Sequence, residues 1–375
     1  MTFAVRAQQA LTIIEQDYAL AMRTAAQQQK LLIVDFYTTW CVPCKVLDKT
    51  IFKNDSIAGQ ISKNFVALRY DAERDTVHHL TLKHHVSSYP TTAILTADGR
   101  LIQKMFGFGE GESLAASYSH LLQESISLNE QGTYIAGFPP AIEPDKYPDF
   151  YKKYVRGIAN IKPSDLANYW MNNPDLESEV SFAILAYFGR APRHVVDSFI
   201  QHKQRYEARF GTADVKFVMN NITSEKFNEA VKEKDEAKYD AALKFAREHM
   251  SARNVEKYVS AYNLEMFMAT GKWDQAISTV EERIKMKAIS DNGINNFCWN
   301  VFESCSEKKI IEAAIQLMKG IVDLNPSFAT LDTYARLLAK NGNKGEAKTA
   351  MKRAIDIGKA NGEDTKESEE ALGSF

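Results

Sequence analysis

An apolar run that ends just before a Cys-x-x-Cys pair is the feature that most constrains this chain. Residues 31–37 read Leu-Leu-Ile-Val-Asp-Phe-Tyr, and residues 40–44 read Trp-Cys-Val-Pro-Cys. A mostly apolar run of this length predicts a buried parallel strand. Because α/β folds hold their reactive groups at the carboxyl end of such strands, the sequence predicts that the cysteine pair is the functional site.

The residues after the predicted strand have the features of a helix start. Pro43 suits the first turn, where its missing N–H costs nothing. Cys41 is then expected at the helix N-terminus, facing free amide donors and the positive end of the helix dipole. Such a position lowers a thiol pKa by roughly 1 to 5, which favours a thiolate nucleophile near neutral pH. Cys44, one turn later and expected to be less exposed, can resolve a mixed disulfide.

A zinc site is the alternative interpretation of a Cys-x-x-Cys pair. Four-coordinate zinc needs two more cysteine or histidine ligands at suitable spacing. The chain has four cysteines, and the other two, Cys298 and Cys305, lie far away in helical sequence. We therefore expect redox chemistry at Cys41 and Cys44, with no bound metal and no cofactor beyond their own disulfide.

Three short motifs together resemble the thioredoxin family. They are Val34-Asp35-Phe36, the stretch from Trp40 to Lys45, and Tyr89-Pro90-Thr91 about 45 residues later. In that family the later proline is cis and faces the dithiol, and an acid six residues before the first cysteine lies buried beneath it. Pro90 and Asp35 match these positions. The resemblance extends over roughly residues 17–127, about a third of the chain.

The resemblance implies an α/β thioredoxin fold, with a central mixed sheet flanked by helices, and a thiol-disulfide oxidoreductase. It implies that Cys41 attacks a substrate disulfide, that Cys44 releases the product, and that Asp35 accepts the proton of Cys44. In the same way, the resemblance assigns substrate binding to Trp40, Tyr89, Pro90 and Gly107. Trp40 is expected to cover the dithiol, and Pro90 to shape the groove and keep metals off the thiols.

Two features depart from the family pattern. Residues 65–71 carry an alanine where the family places a lysine near the buried acid, and Tyr89 is bulkier than the usual residue before the cis-proline. Lys49-Thr50-Ile51-Phe52 and Asp55-Ser56-Ile57 also resemble the thioredoxin-like domain of the transmembrane reductases that supply electrons to bacterial periplasms.

Composition and the N-terminus bear on partners and location. Lys+Arg 46 against Asp+Glu 48 leaves a net charge of -2, which gives no indication of nucleic-acid binding. The sequence contains no run of 18 or more apolar residues, so it predicts no transmembrane helix. Residues 2–8 resemble the tail of a signal peptide, without its charged start and long apolar core. We expect a periplasmic or otherwise extracytoplasmic protein whose leader is missing; a cytoplasmic location is the alternative.

The sequence predicts a thioredoxin-like domain at residues 1–128, a linker at 129–149 and an all-helical domain at 150–375. The linker prediction rests on four of the chain's ten prolines, Pro139, Pro140, Pro144 and Pro148. In the helical domain, alanines recur at intervals of 35, 37 and 34 residues, each followed four positions later by an apolar residue. The alanines are Ala241, Ala276, Ala313 and Ala347.

A period near 34 predicts a solenoid of helix pairs that bury their faces by stacking. The pattern resembles tetratricopeptide repeats, with Pro326 where that family often ends a repeat and without its tryptophan-leucine-glycine signature. Cys298 and Cys305 lie two helical turns apart, beyond disulfide reach, and are expected in the core. Residues 362–375 are expected to be frayed.

Four histidines lie within residues 75–85, which are predicted to be helical: His78, His79, His84 and His85. A metal site is one interpretation of this cluster. The two pairs would point to several faces of the helix, so we expect a solvated face near the active site instead.

Together these features predict a protein disulfide reductase with a Cys-Val-Pro-Cys dithiol. Its expected partners are a protein or peptide disulfide substrate and an upstream electron donor, and the helical domain is expected to bind the substrate or a partner peptide. The alternative is a redox-sensing interaction module in which the helical repeats carry the function.

Overall fold

A computed structural model describes residues 11–108, 113–138 and 143–375 of the chain. The stretch at residues 2–8, interpreted above as the tail of a signal peptide, and two of the linker prolines, Pro139 and Pro140, lie outside the described residues. Among the described helices, none is both long and apolar enough to cross a membrane.

A five-stranded mixed sheet forms the centre of the N-terminal part, in the order β1-β3-β2-β4-β5. β2 is parallel to β3, which is parallel to β1, whereas β4 runs antiparallel to β2 and β5 antiparallel to β4. The strands are β1 (Ile13–Glu15), β2 (Leu31–Tyr37), β3 (Phe65–Asp71), β4 (Thr91–Leu95) and β5 (Leu101–Phe106). This arrangement confirms the predicted thioredoxin fold.

Five helices accompany the sheet, and capping side chains set where three of them start. Asp17, Asn54 and Ser113 each accept a hydrogen bond from a first-turn amide of the helix that follows. The helices are α1 (Tyr18–Gln28), α2 (Val42–Leu47), α3 (Asp55–Asn64), α4 (Leu80–Lys83) and α5 (Leu114–Glu130). A π-helical turn, Asp48–Phe52, continues α2.

One face of the sheet packs against the helix that follows the cysteine pair. Side chains alternate along a strand, so Asp35 shares the face of Leu31 and Ile33. These two residues belong to one buried cluster with Leu47 and Ile51, which lie on α2 and its π-helical turn. Asp35 therefore lies on the sheet face that this helix covers.

The chain divides into two compact units, one up to Glu225 and one from Lys226. This division differs from the boundary at residues 129–149 that the prolines predict. The helices after α5 and before Glu225 are α6 (Asp149–Val155), α7 (Pro163–Asn172), α8 (Glu179–Phe188), α9 (Arg193–Gln201), α10 (Lys203–Phe210) and most of α11 (Thr212–Glu233).

Buried polar contacts explain why these helices belong to the first unit. Lys104 of β5 forms an ion pair with Asp214 of α11 at 2.6 Å, and both side chains are almost fully buried. The Tyr187 hydroxyl of α8 donates a hydrogen bond to the carbonyl of Val86. An aromatic contact also joins β5 to α11, where the Phe106 ring stacks on the Phe217 ring with centroids 4.4 Å apart.

The second unit is entirely helical over the residues described. Its helices after α11 are α12 (Glu236–His249), α13 (Ala252–Ala269), α14 (Trp273–Lys285), α15 (Asp291–Ser304), α16 (Lys308–Leu324), α17 (Phe328–Lys340), α18 (Lys344–Asn361) and α19 (Lys366–Ser374). The predicted helical C-terminal part is confirmed, and its assignment to tetratricopeptide repeats stays a prediction. The tail is not frayed, because Leu372 of α19 and Phe375 directly after it pack against the core.

The predicted repeat positions fit the core only in part. Ala276 and Ala347 are fully buried, as the pattern requires. In the other two repeats the buried alanine lies one position later: Ala242 and Ala314 are buried, whereas Ala313 is only partly buried. In these two repeats the helix face that is buried is therefore shifted by one residue from the face that the period of the alanines predicts.

Candidate active site

The two cysteines lie at the N-terminus of α2 and are joined in a disulfide, with their Cα atoms 5.3 Å apart. Cys41 is the N-cap residue, and its Sγ accepts a hydrogen bond from the backbone N–H of Cys44 at 3.1 Å. Pro43 lies in the first turn, as the sequence predicts. The Cys41 sulfur therefore occupies the position where amide donors and the helix dipole stabilise a negative charge.

Exposure does not distinguish the two cysteines, contrary to the expectation from the sequence. In this disulfide state Cys41 is 3% exposed and Cys44 is 2% exposed. The flanking side chains stand in solvent instead, since Trp40 is 63% exposed and Val42 is 66% exposed. The difference between the sulfurs is thus their place on the helix, because only the Cys41 sulfur caps it.

Asp35 is buried in β2, and neither of its carboxylate oxygens has a hydrogen-bond partner among the described residues. Burial raises the pKa of Asp35 to about 7, because water no longer stabilises the charged form. The Arg69 guanidinium opposes this change, and the carboxylates of Asp48 and Glu15 reinforce it. A carboxyl with a pKa near neutral can exchange a proton at physiological pH.

Arg69 is the residue of this site that the sequence analysis missed. Its Nε lies 3.6 Å from Asp35 Oδ2, and its Nη1 lies 3.6 Å from Asp48 Oδ1 and from Glu15 Oε1. Asp48 follows directly after α2, so Arg69 connects the buried acid to the helix of the cysteine pair. The guanidinium also lies over the Tyr37 ring, 4.5 Å from its centroid.

The signal for Arg69 is strand register rather than a family position. Arg69 stands directly opposite Asp35 in the parallel pairing of β2 and β3. Ala67, two residues earlier, points to the same face because side chains alternate along a strand. Asp35 thus has a cation beside it, Arg69, although an alanine occupies the expected lysine position.

The residues predicted to bind substrate form two contacts beside the cysteine pair. The Trp40 and Tyr89 rings meet edge to face with centroids 6.2 Å apart, and the Trp40 indole N–H donates to Glu73 at 2.8 Å. The peptide bond between Tyr89 and Pro90 is cis, and the Pro90 carbonyl accepts a hydrogen bond from the Gly107 N–H at 2.8 Å. Gly107 has a φ of 61°, which favours glycine.

The histidine-rich segment is not a solvated face. Only residues 80–83 are α-helical, and His84 and His85 are fully buried. His85 Nε2 lies 2.6 Å from Glu179 Oε1 on α8, and burial lowers the pKa of His84. The expectation was wrong because α8 covers these side chains from nearly 100 residues further along the chain. No group of residues that could hold a metal ion occurs within the described ranges.

Cys298 and Cys305 are buried and not joined in a disulfide. Burial raises the pKa of the Cys298 thiol to about 12, so this thiol is a poor nucleophile at neutral pH. Of the four cysteines, only Cys41 and Cys44 are therefore placed for exchange chemistry.

Comparison with known proteins places the site in a family. A family model described as thioredoxin-like matches residues 13–97. Thioredoxin-1 of Drosophila melanogaster is 38% identical over 79 residues, which are 21% of this chain and 69% of that protein. The thiol:disulfide interchange protein DsbD of Vibrio vulnificus is 32% identical over 99 residues, 25% of this chain and 16% of that protein.

Among solved structures, one titled DsbH Oxidoreductase has 16% sequence identity and a TM-score of 0.27. It covers 34% of this chain and 94% of its own.

Proposed function

The chain belongs to the thioredoxin family and is a thiol-disulfide oxidoreductase, and from this premise we propose that it works as a protein disulfide reductase with Cys41 as the attacking sulfur. The observation that carries the proposal is the hydrogen bond from the Cys44 N–H to the Cys41 sulfur at the start of α2. This contact stabilises a thiolate at Cys41 and not at Cys44.

The reaction proceeds in two exchange steps. In the reduced protein the Cys41 thiolate attacks one sulfur of a substrate disulfide, forming a mixed disulfide and releasing the other substrate sulfur as a thiolate. Cys44 then gives its proton to Asp35 and attacks the Cys41 sulfur, which releases the second substrate thiolate and forms the intramolecular disulfide. Two electrons pass from the protein to the substrate, and an upstream dithiol donor must return them.

Asp35 suits the role of proton acceptor. It lies on the sheet face that α2 covers, and its pKa of about 7 leaves about half of the molecules able to take up a proton at neutral pH. Arg69, 3.6 Å from the carboxylate, keeps that fraction from falling further by favouring the ionised form.

The residues between the cysteines support the proposed direction of transfer. Val42 and Pro43 carry no charge, so neither adds to the stabilisation that the helix start gives the Cys41 thiolate. A less stabilised thiolate makes the dithiol a better electron donor, which supports a reductase rather than an oxidase. The wall formed by Trp40, Tyr89, Pro90 and Gly107 is proposed to bind the substrate chain beside the disulfide.

Two wider proposals complete this function. The helical unit is proposed to bind the protein substrate or a partner polypeptide. The protein is also proposed to work outside the cytoplasm. Cell fractionation followed by thiol labelling tests this location. Recovery of the protein in the cytoplasmic fraction with its thiols fully reduced would contradict it.

Insulin reduction tests the enzymatic proposal. We expect the protein to accelerate reduction of insulin by dithiothreitol well above the uncatalysed rate, and the Cys41→Ser variant to give no acceleration. Cys298→Ala is the matched control, since it also removes a cysteine but should keep the wild-type rate. If the wild-type protein gave no acceleration, the alternative of a redox-sensing interaction module would replace the enzyme.

A reduction potential then tests the direction. For a two-electron couple, about 30 mV corresponds to a tenfold change in the equilibrium constant. We expect a value near the roughly -270 mV typical of thioredoxin, and a value near -120 mV, typical of a strong oxidant, would contradict a reductase.

A further inference from the structure

A cavity of about 440 Å³ opens in the second unit, on one side of its helices. Its walls come from α15, α17, the start of α19 and the segment that leads into it. The residues that decide its chemistry are Trp299, Phe328, Asp332, Arg336, Asp364 and Glu367. A volume of this size is in the range of pockets that bind small molecules or single side chains.

Asp332 and Arg336 form a neutral pair in the wall of this cavity. Arg336 Nε donates to Asp332 Oδ2 at 2.7 Å, and the Ser368 hydroxyl donates to Asp332 Oδ1 at 2.7 Å. The Arg336 guanidinium also lies 5.5 Å from the centroid of the Trp299 ring. Both oxygens of Asp332 thus have donors, and the charge of the only arginine in the lining is balanced.

Two carboxylates in the lining remain without a balancing cation. Asp364 and Glu367 are exposed, and neither takes part in an ion pair within the described residues. Asp364 Oδ1 accepts only a backbone hydrogen bond, from Lys366 N at 3.1 Å. The lining contains no lysine, so its net charge is negative.

The other lining groups favour a ligand with an apolar stem. The rings of Trp299 and Phe328 line the cavity, and aromatic surface of this kind can contact a methylene chain. The Arg336 guanidinium already lies beside the Trp299 ring, so the attraction for a cation comes from the carboxylates. An anionic ligand is disfavoured, because it would meet two unbalanced carboxylates.

We propose that this cavity binds a lysine or arginine side chain of a partner polypeptide. The proposal rests on the proposed partner-binding role of the helical unit, and it names the chemistry of that partner: a basic segment whose cationic side chain enters between α15 and α19. The cationic head meets Asp364 and Glu367 at the rim, while its stem lies against the aromatic wall.

The experiment titrates the full-length protein with four acetylated and amidated Gly-Ser peptides, identical except for one central lysine, arginine, alanine or glutamate. Binding is followed by the indole N–H signal of Trp299 in a two-dimensional NMR spectrum. We expect the lysine and arginine peptides to shift this signal in a saturable way, and the alanine and glutamate peptides to leave it unchanged. The shift should weaken as salt is added, because exposed charges are screened.

Substitutions then locate the site. Asp364→Asn and Glu367→Gln should each weaken binding about two- to fivefold, and the double variant about tenfold, as expected for exposed charge pairs. Glu370→Gln is the matched control, since Glu370 is exposed on the same helix but does not line the cavity. Equal binding of the alanine peptide, no shift with any peptide at millimolar concentration, or an unchanged affinity in the double variant would each overturn the proposal.

Insulin reduction by the same proteins separates this proposal from the proposed function. We expect the cavity variants to keep the wild-type turnover. Peptide binding without turnover would leave the cavity assignment standing and reject the reductase, whereas turnover without peptide binding would do the reverse.

Discussion

Replacing Asp35 by asparagine is expected to stabilise the first unit, by an amount that grows as the pH rises from 4 to 8. Asparagine has nearly the shape of the protonated acid and cannot ionise. The wild-type carboxyl, in contrast, must either keep its proton or carry a charge in a buried place where no hydrogen bond satisfies it. The variant removes this pH-dependent cost.

The magnitude follows from the pKa of Asp35 in the two states. Its pKa is about 7 in the folded protein, against about 3.9 for a free aspartate. Because the folded pKa is the higher one, its contribution to stability is fully present below pH 3.9 and is lost as the pH rises to 7. At 1.36 kcal/mol for each pKa unit, the loss is about 0.5 kcal/mol at pH 4, about 1.5 kcal/mol at pH 5 and about 4 kcal/mol at pH 8.

Amide hydrogen exchange of β2 is the suitable assay, because it reports the opening of the sheet separately from the second unit. Mass spectrometry of peptides covering residues 31–37 gives the opening free energy at pH 5, 6.5 and 8, after correction for intrinsic exchange rates. The oxidised protein is compared with Asp35→Asn and with Glu130→Gln, a control that removes an exposed acid at the end of α5.

We expect the Asp35→Asn protein to exceed the wild type by about 1.5 kcal/mol at pH 5 and by about 4 kcal/mol at pH 8. Glu130→Gln should follow the wild type throughout. A difference that stays constant with pH, or that is largest at pH 5, would refute the assignment of a raised pKa to the buried carboxyl.

Two further substitutions test the surroundings of the site. Arg69→Met removes the cation beside Asp35, so the pKa of the carboxyl should rise further, by about 1 to 3. Stopped-flow rates of mixed-disulfide resolution should then reach their plateau at a correspondingly higher pH. An unchanged pH profile contradicts a role for Arg69 in setting this proton equilibrium. Lys104→Met leaves Asp214 buried without its partner and should destabilise the first unit by roughly 3–5 kcal/mol in the same exchange assay, read on β5. The double variant Lys104→Met with Asp214→Leu should regain most of that loss, and equal instability of the single and double variants contradicts the buried ion pair as its cause.

Local sequence features were sufficient to predict the centre of the site. The apolar run of β2, the Cys41-Cys44 spacing and Pro43 in the first turn act within about fifteen residues, and each has a direct structural consequence. The strand and the helix start are therefore readable from the chain, whereas the burial of Asp35 was expected only from the resemblance to thioredoxin.

The features that the sequence did not predict depend on contacts between distant segments. Arg69 contacts Asp35 because β2 and β3 pair in a register that sets the two residues opposite each other. A comparison with the family position by position finds only the alanine two residues earlier, so it does not reveal this cation. His84 and His85 have the polarity of a surface helix, yet they are buried by helices encoded far downstream. The prolines predict a linker at residues 129–149, whereas the two compact units divide at Glu225. The buried pair of Lys104 on β5 and Asp214 on α11 is a contact that proline positions do not reveal.

The central claim is that Cys41 attacks and Cys44 resolves, and trapping of the mixed disulfide tests it most directly. The reduced Cys44→Ser and Cys41→Ser proteins are each mixed with insulin whose disulfides are intact. The mixtures are quenched with acid and analysed by mass spectrometry. We predict a thiol-sensitive adduct on Cys41 in the Cys44→Ser protein and no adduct on Cys44 in the Cys41→Ser protein, because only the Cys41 sulfur caps α2. Equal trapping by both variants, or trapping on Cys44 alone, would contradict the assignment.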